Sequence, residues 1–196
     1  MIEVKRMKSK RRTQLHNGGF TLIEFIVVIA ILAAAVSIGS AGFSAVYNAR
    51  AKKAASGLDN VFAECKVFNL SGRSCYARIE FDSTHNEYVA SVVKDNGTED
   101  DRTDDVVLES VVLGNRLLNI TTHDGTRVSQ LTSIEVKFRG DTGAVAYCNA
   151  ITAGTAVSLM GADTASEQFT LEGGGTYVLT LYHKTGMHSF KKGSAV

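Results

Sequence analysis

Gly18-Gly19-Phe20-Thr21-Leu22-Ile23-Glu24, running on through Phe25-Ile26-Val27-Val28-Ile29-Ala30-Ile31-Leu32 to Val36, is the stretch whose reading decides the architecture. Six basic residues precede it, Lys5, Arg6, Lys8, Lys10, Arg11 and Arg12, and no charged residue occurs from Phe25 to Ala49. A helix of ~20 apolar residues crosses a bilayer, and this run is longer. The basic flank is expected to stay cytoplasmic by the positive-inside bias, which places the chain from about Arg50 onward outside the cytoplasm.

Glu24 stands against that pattern. A carboxylate inside a bilayer costs roughly 2.5–3.5 kcal/mol and normally has a partner. A lone anchor has no use for it, and no cation lies nearby on its distal side. A cation delivered by another molecule would answer the need.

At these residues the chain resembles the type IV pilins and the type II secretion pseudopilins. A short basic leader, Gly-Phe-Thr-Leu-Ile-Glu and a long apolar helix are the class III signal of that family. The resemblance implies cleavage after Gly19 by a prepilin peptidase and N-methylation of the new N-terminus, Phe20. It implies that Glu24 pairs with the Phe20 amine of a neighbouring subunit. It also implies partners: other pilins or pseudopilins, the peptidase/methyltransferase and an inner-membrane assembly platform. The competing reading is a conventional secretory signal, for which Ala33-Ala34-Ala35 offers a small-residue cleavage site; Glu24 would then interrupt the apolar segment without purpose.

A chain of 196 residues suits an anchor and one modest domain. The net charge of +1 hides an asymmetry: the leader 1–19 carries six basic residues and Glu3, so its removal leaves −4 on the rest. A mildly acidic body has no global attraction for nucleic acid. There is no proline, and 18 glycines share the turns with Asn and Asp. Many major pilins carry a helix-kinking proline where this chain has Gly39-Ser40-Ala41-Gly42. That stretch reads equally as a loosened turn, since each glycine costs about 1 kcal/mol against alanine, or as a small-residue surface for close helix packing.

The helical pattern continues past the apolar run. Val46, Ala49 or Arg50, Ala54, Leu58, Val61, Phe62, Cys65 and Phe68 recur at three- and four-residue spacing, with Lys52, Lys53, Asp59, Asn60 and Lys66 opposite. The pattern predicts one helix over 20–69, roughly 75 Å long. Residues 20–49 form its membrane and assembly half, and 50–69 its amphipathic half. Gly72 is placed to end it. From Ser74 the period becomes two, and the sequence predicts strands between 75 and 190: 75–81, 88–93, 106–113, 117–121, 134–138, 144–148, 156–159, 169–171 and 177–182. Asp95-Asn96-Gly97, Asp124-Gly125, Asp141-Thr142-Gly143, Gly173-Gly174-Gly175 and Thr185-Gly186 separate them. The expected class is α+β: a long N-terminal helix packed on an antiparallel β domain of two sheets, with residues 50–196 forming the extracytoplasmic globular part. Helix first and strands after resembles the H-type minor pseudopilins and the FimT-type minor pilins. Arg78-Ile79-Glu80-Phe81-Asp82 and Ile134-Glu135-Val136-Lys137-Phe138 support that narrower likeness diffusely.

Three weaker candidates follow. Cys65 and Cys75 flank a turn and are placed to form a disulfide, with Cys75–Cys148 as the other pairing and three buried thiols as the alternative. Asp95, Glu99, Asp100 and Asp101 gather enough carboxylates to raise the question of calcium, although the spacing matches no known loop and a solvated hairpin is favoured; no other cofactor is expected. Lys184, Lys191 and Lys192, with His183 and His188, form a basic C-terminus that a DNA-binding pilin would use on phosphates, but a solvated tail is favoured. Nucleophile-elbow, P-loop and dinucleotide fingerprints are missing, so no enzyme is expected. The function read from the sequence is a minor pilin or pseudopilin of a pilus or type II secretion fibre. A DNA-binding pilin for transformation and a membrane-anchored adhesin are the alternatives.

Overall fold

The computed structural model describes residues 21–96, 104–161 and 165–193, except for the side chains of 37–48. The chain divides into two compact units, Met1–Ala41 and Gly42–Val196. Helix α1 is Leu22–Leu70. It is followed by β1 (Cys75–Asp82), β2 (Glu87–Lys94), β3 (Val106–Asn115), β4 (Asn119–Thr122), a 3-10 turn (Val128–Gln130), β5 (Ser133–Phe138), β6 (Val145–Thr152), β7 (Thr155–Ser158), β8 (Ser166–Glu172), β9 (Thr176–Tyr182) and β10 (His188–Lys192). This is the expected order of one helix and then strands, and the class is α+β with two antiparallel sheets.

In the first unit, the side chains of residues 21–36 are all exposed, from Leu22 at 79% to Val28 at 45%. A helix that is apolar all round and bare on every side calls for an apolar surrounding. Among the described residues no helix is long and apolar enough to cross a membrane. The expected span 20–49 takes in Phe20 and the side chains of 37–48, which lie outside them.

In the second unit, α1 presents Ala51, Ala54, Ala55, Leu58, Val61, Phe62 and Cys65 to the core, all nearly or fully buried. A six-stranded sheet, β3-β2-β1-β5-β6-β7, and a four-stranded sheet, β10-β9-β8-β4, supply the rest. Strand alternation places Cys75, Ala77 and Ile79 of β1 and Ile134, Val136 and Phe138 of β5 inward. The second sheet contributes Ile120, Phe169, Leu171, Leu179 and Leu181 to the same core. Phe62 is the junction: its ring meets Phe138 edge-on at 6.2 Å and Phe169 at 5.8 Å, one from each sheet.

The helix ends as its sequence predicts. Gly72 takes φ +82°, its N–H donates to the Asn69 carbonyl, and the Arg73 N–H donates to the Phe68 carbonyl. These two bonds are the Schellman arrangement. The contact that usually accompanies it is here a cation over a ring, with the Arg73 guanidinium carbon 5.6 Å from the Phe68 centroid. Lys66 then reaches from the helix to the β9–β10 turn and donates to the carbonyls of Thr185 (2.9 Å) and Gly186 (3.2 Å). Gly186 sits against the β5–β6 loop so closely that a Cβ there would lie 1.9 Å from the Gly143 carbonyl oxygen.

Sequence reasoning passed over β10. His-Ser-Phe-Lys-Lys reads as a polar tail, but His188 and Phe190 alternate inward. Phe190 packs with Tyr177 at 6.3 Å, and His188 Nδ1 lies 2.7 Å from Asp59 Oδ1 on the helix.

Candidate assembly site at the helix start

Thr21 precedes the helix, and Glu24 lies in its first turn. The Thr21 N–H donates to Glu24 Oε2 at 2.8 Å and the Thr21 hydroxyl donates to the same oxygen at 2.9 Å. In return the Glu24 N–H donates to Thr21 Oγ1 at 3.3 Å. This reciprocal pair is a capping box: a threonine and a glutamate three residues apart satisfy amides that a helix start leaves without partners.

The finding corrects one premise. Glu24 does have a use in its own chain, because Thr21 satisfies it and the carboxylate satisfies the helix start. The Thr-x-x-Glu spacing is itself a capping signature in the sequence, which the membrane cost of a carboxylate does not reveal. Gly19 and Phe20, the expected cleavage and methylation positions, lie outside the described residues.

The fold bears on the described residues of the three weaker candidates. Cys65, Cys75 and Cys148 are buried free thiols, so the Cys65–Cys75 bridge is not formed. Asn69 is hydrogen-bonded to both of the first two cysteines. Its side-chain amide donates to the carbonyls of Cys65 (2.8 Å) and Cys75 (2.7 Å), and its carbonyl accepts from the Cys75 N–H (3.3 Å). One buried amide thus ties the helix end to the first strand, where a disulfide was expected to do so. Burial pushes all three thiols above the usual cysteine range, which makes them poor nucleophiles.

Asp95 is not a free loop carboxylate. It is buried at the end of β2, where it accepts from Lys137 Nζ at 2.5 Å and from the Ser74 hydroxyl at 3.2 Å. Glu99, Asp100 and Asp101 lie outside the described residues, and among those described no group of carboxylates, histidines or cysteines is placed to hold a metal ion.

The basic C-terminus does not form one patch. Lys184 is in the β9–β10 turn, while Lys191 and Lys192 pair with Val178 and Tyr177 at the far end of that hairpin. The four strand steps from Val178 to Tyr182, where β9 ends, alone separate them by ~13 Å. Successive residues also face opposite sides of a sheet, so Lys191 and Lys192 diverge. His183 is buried and His188 is held by Asp59.

Comparison with known proteins agrees with the N-terminal reading. The Prokaryotic N-terminal methylation motif matches residues 15–44, which contain Gly19, Phe20, Thr21 and Glu24. The chain is similar to the type IV minor pilin FimU of Pseudomonas aeruginosa (strain PAO1), at 11% identity over 71% of this chain and 87% of that one, with a TM-score of 0.43. No curated protein matches the chain.

Proposed function

We propose that this chain is a pilin-like structural subunit of the minor class, serving a type IV pilus or a type II secretion pseudopilus. The observation that carries the reading is a coincidence of place. The methylation motif of residues 15–44 falls on a helix start whose side chains are exposed from 21 to 36 and, apart from Thr21 and Glu24, apolar. Leader removal after Gly19 would free an amine at Phe20, one residue before the Thr21–Glu24 box. An apolar helix of this kind is held by lipid before assembly and by other helices after it.

The Thr21–Glu24 pairing supplies a mechanism for that exchange. In the separate subunit the carboxylate is satisfied locally by two Thr21 donors. In a fibre it would accept in addition, or instead, from the charged amine of a neighbour's Phe20. A hydrogen bond to a charged group contributes ~1.5–3 kcal/mol, enough to set one axial register over others. The local bonds keep the carboxylate from standing unsatisfied in the bilayer until then.

Mass spectrometry of the N-terminus, on protein taken from its native membrane, tests the reading. N-methylated Phe20 is the expected result. A start near Val36, or an intact Met1, would overturn it. Glu24→Ala should leave insertion and processing in place and remove incorporation into fibres, whereas normal incorporation would rule out the proposed pairing.

A further inference from the structure

Strand β3 is one edge of the six-stranded sheet; it pairs with β2, and among the described residues nothing pairs with its other side. An open edge offers a row of unsatisfied N–H and C=O groups, and proteins usually blunt it by shortness, charge or bulges. The opposite edge, β7, is blunted by shortness, with four residues. Strand β3 is ten residues long, and Val106, Val107, Leu108 and Val112 on it are each 44–52% exposed. Register shifts near its two ends leave one regular stretch, Glu109 to Val112. Within that stretch Glu109 and Val111 lie opposite Val92 and Ala90, the core-facing residues of β2, while Ser110 and Val112 face away.

The space beside this edge already has a floor. Helix α1 passes closely beneath β3 at Gly57, where a Cβ would stand 3.1 Å from Leu113 and 3.3 Å from Val111. Beyond the strand, Lys52, Lys53, Ser56 and Asn60 of the helix and Val111 and Val112 of β3 wall a groove of about 450 Å³. It lies beside the open edge of the strand. Farther along the helix Glu64 meets Glu109, close enough for their carboxyl groups to share a hydrogen bond. Burial first, and then the hydrogen bond and charge of Glu109, push the Glu64 carboxyl above its usual range. Neither glutamate forms a salt bridge among the described residues. Two carboxylates in contact are stabilised by a shared proton or by a cation brought to them.

We propose that β3 is a docking edge for an extended segment of a partner protein, which adds to the sheet as a seventh strand and sets a lysine or arginine against Glu64 and Glu109. Backbone bonds along the Glu109–Val112 stretch supply affinity, and the inward pattern supplies specificity, as in other strand-addition interfaces. The segment carries a basic residue opposite Glu109 and an apolar one two positions away, opposite Val111. The Glu64–Glu109 pair, at the end of the groove away from Lys52 and Lys53, selects this occupant over a second copy of the chain, whose own edge offers Glu, Ser, Val and Val there and no cation. The surface is independent of leader cleavage, so the test below stands apart from the fate of Phe20.

The test uses the full chain in detergent and a labelled, end-capped heptapeptide, Thr-Val-Thr-Lys-Thr-Val-Thr, beside the same peptide with glutamate at its centre. Fluorescence anisotropy at about pH 7.5 should show the lysine peptide binding at least about tenfold more tightly. Hydrogen exchange should slow at the amides of residues 109–112 when it binds. Glu109→Lys, an exposed substitution that the fold tolerates, should reverse the preference, and Glu64→Gln should reduce it. Equal affinity for the two peptides, no saturable binding, or self-association through β3 that the lysine peptide does not displace would each overturn the proposal.

Discussion

Asn69 shows how much one buried side chain can decide. Its amide makes three hydrogen bonds to the backbone of Cys65 and Cys75 from a position that is 5% exposed. Alanine there would strand buried polar groups, each costing ~1–3 kcal/mol. Asn69→Ala should therefore lower the unfolding free energy by about 2–3 kcal/mol in a urea titration; a loss below the error of that titration would show that water replaces the amide. Glu167 is the second case. It is buried among core residues, it accepts from the His123 N–H at 3.0 Å, and burial raises its carboxyl above the usual 4.5. A raised carboxyl keeps its proton longer in the folded chain than in the unfolded one. Its contribution to stability is thus fully present below pH 4.5 and is lost as the pH rises through the folded value. Glu167→Gln should gain on the natural chain as the pH is raised from about 4 to about 8. Chemical denaturation across that range checks it, and a constant difference would remove Glu167 as the cause.

Among the elements, the hairpins carry the clearest local tension. Strands β6 and β7 close through Ala153 and Gly154, at φ +48° and +81°. Two successive left-handed residues make the tight turn that matches strand twist, and asparagine followed by glycine is the usual sequence for it. Alanine pays about 1 kcal/mol for that conformation. Ala153 is exposed, so Ala153→Asn should raise the melting temperature by a few degrees, equivalent to about 0.5–1 kcal/mol. An unchanged or lower value would mean that the turn holds some other conformation in solution. Helix α1 shows the opposite situation: Thr21 with Glu24 opens it, and Gly72 with Arg73 closes it, each by a local rule.

For the molecule as a whole, the division at residues 41 and 42 has a practical consequence. The Gly42–Val196 unit holds both sheets and the helical face that covers them. The exposed apolar side chains from Leu22 to Val36 all belong to the other unit. A fragment covering residues 42–196 should fold without detergent, remain in solution and unfold in one cooperative transition. Aggregation of that fragment, or absence of a cooperative melt, would show that the first unit contributes to the stability of the second.

Sequence alone determined the features that depend on neighbours along the chain. The apolar run, the basic flank, the helix end at Gly72, the change to a two-residue period and nearly every strand follow from local chemistry and spacing. So does the motif at Gly19, Phe20 and Glu24, because the peptidase and methyltransferase it implies would read a linear segment. What only the tertiary structure decided are pairings across large separations. Asp59 finds His188, Lys66 finds the β9–β10 turn, Asp95 finds Lys137, and Glu64 meets Glu109 beside an open edge. Composition places charges on a loop or a tail, but a carboxylate is a ligand, a structural partner or a docking point according to what the fold sets against it. Strand β10 was missed for the same reason: a histidine and two lysines read as solvated until a helix aspartate and an inward-facing Phe190 hold them in a sheet.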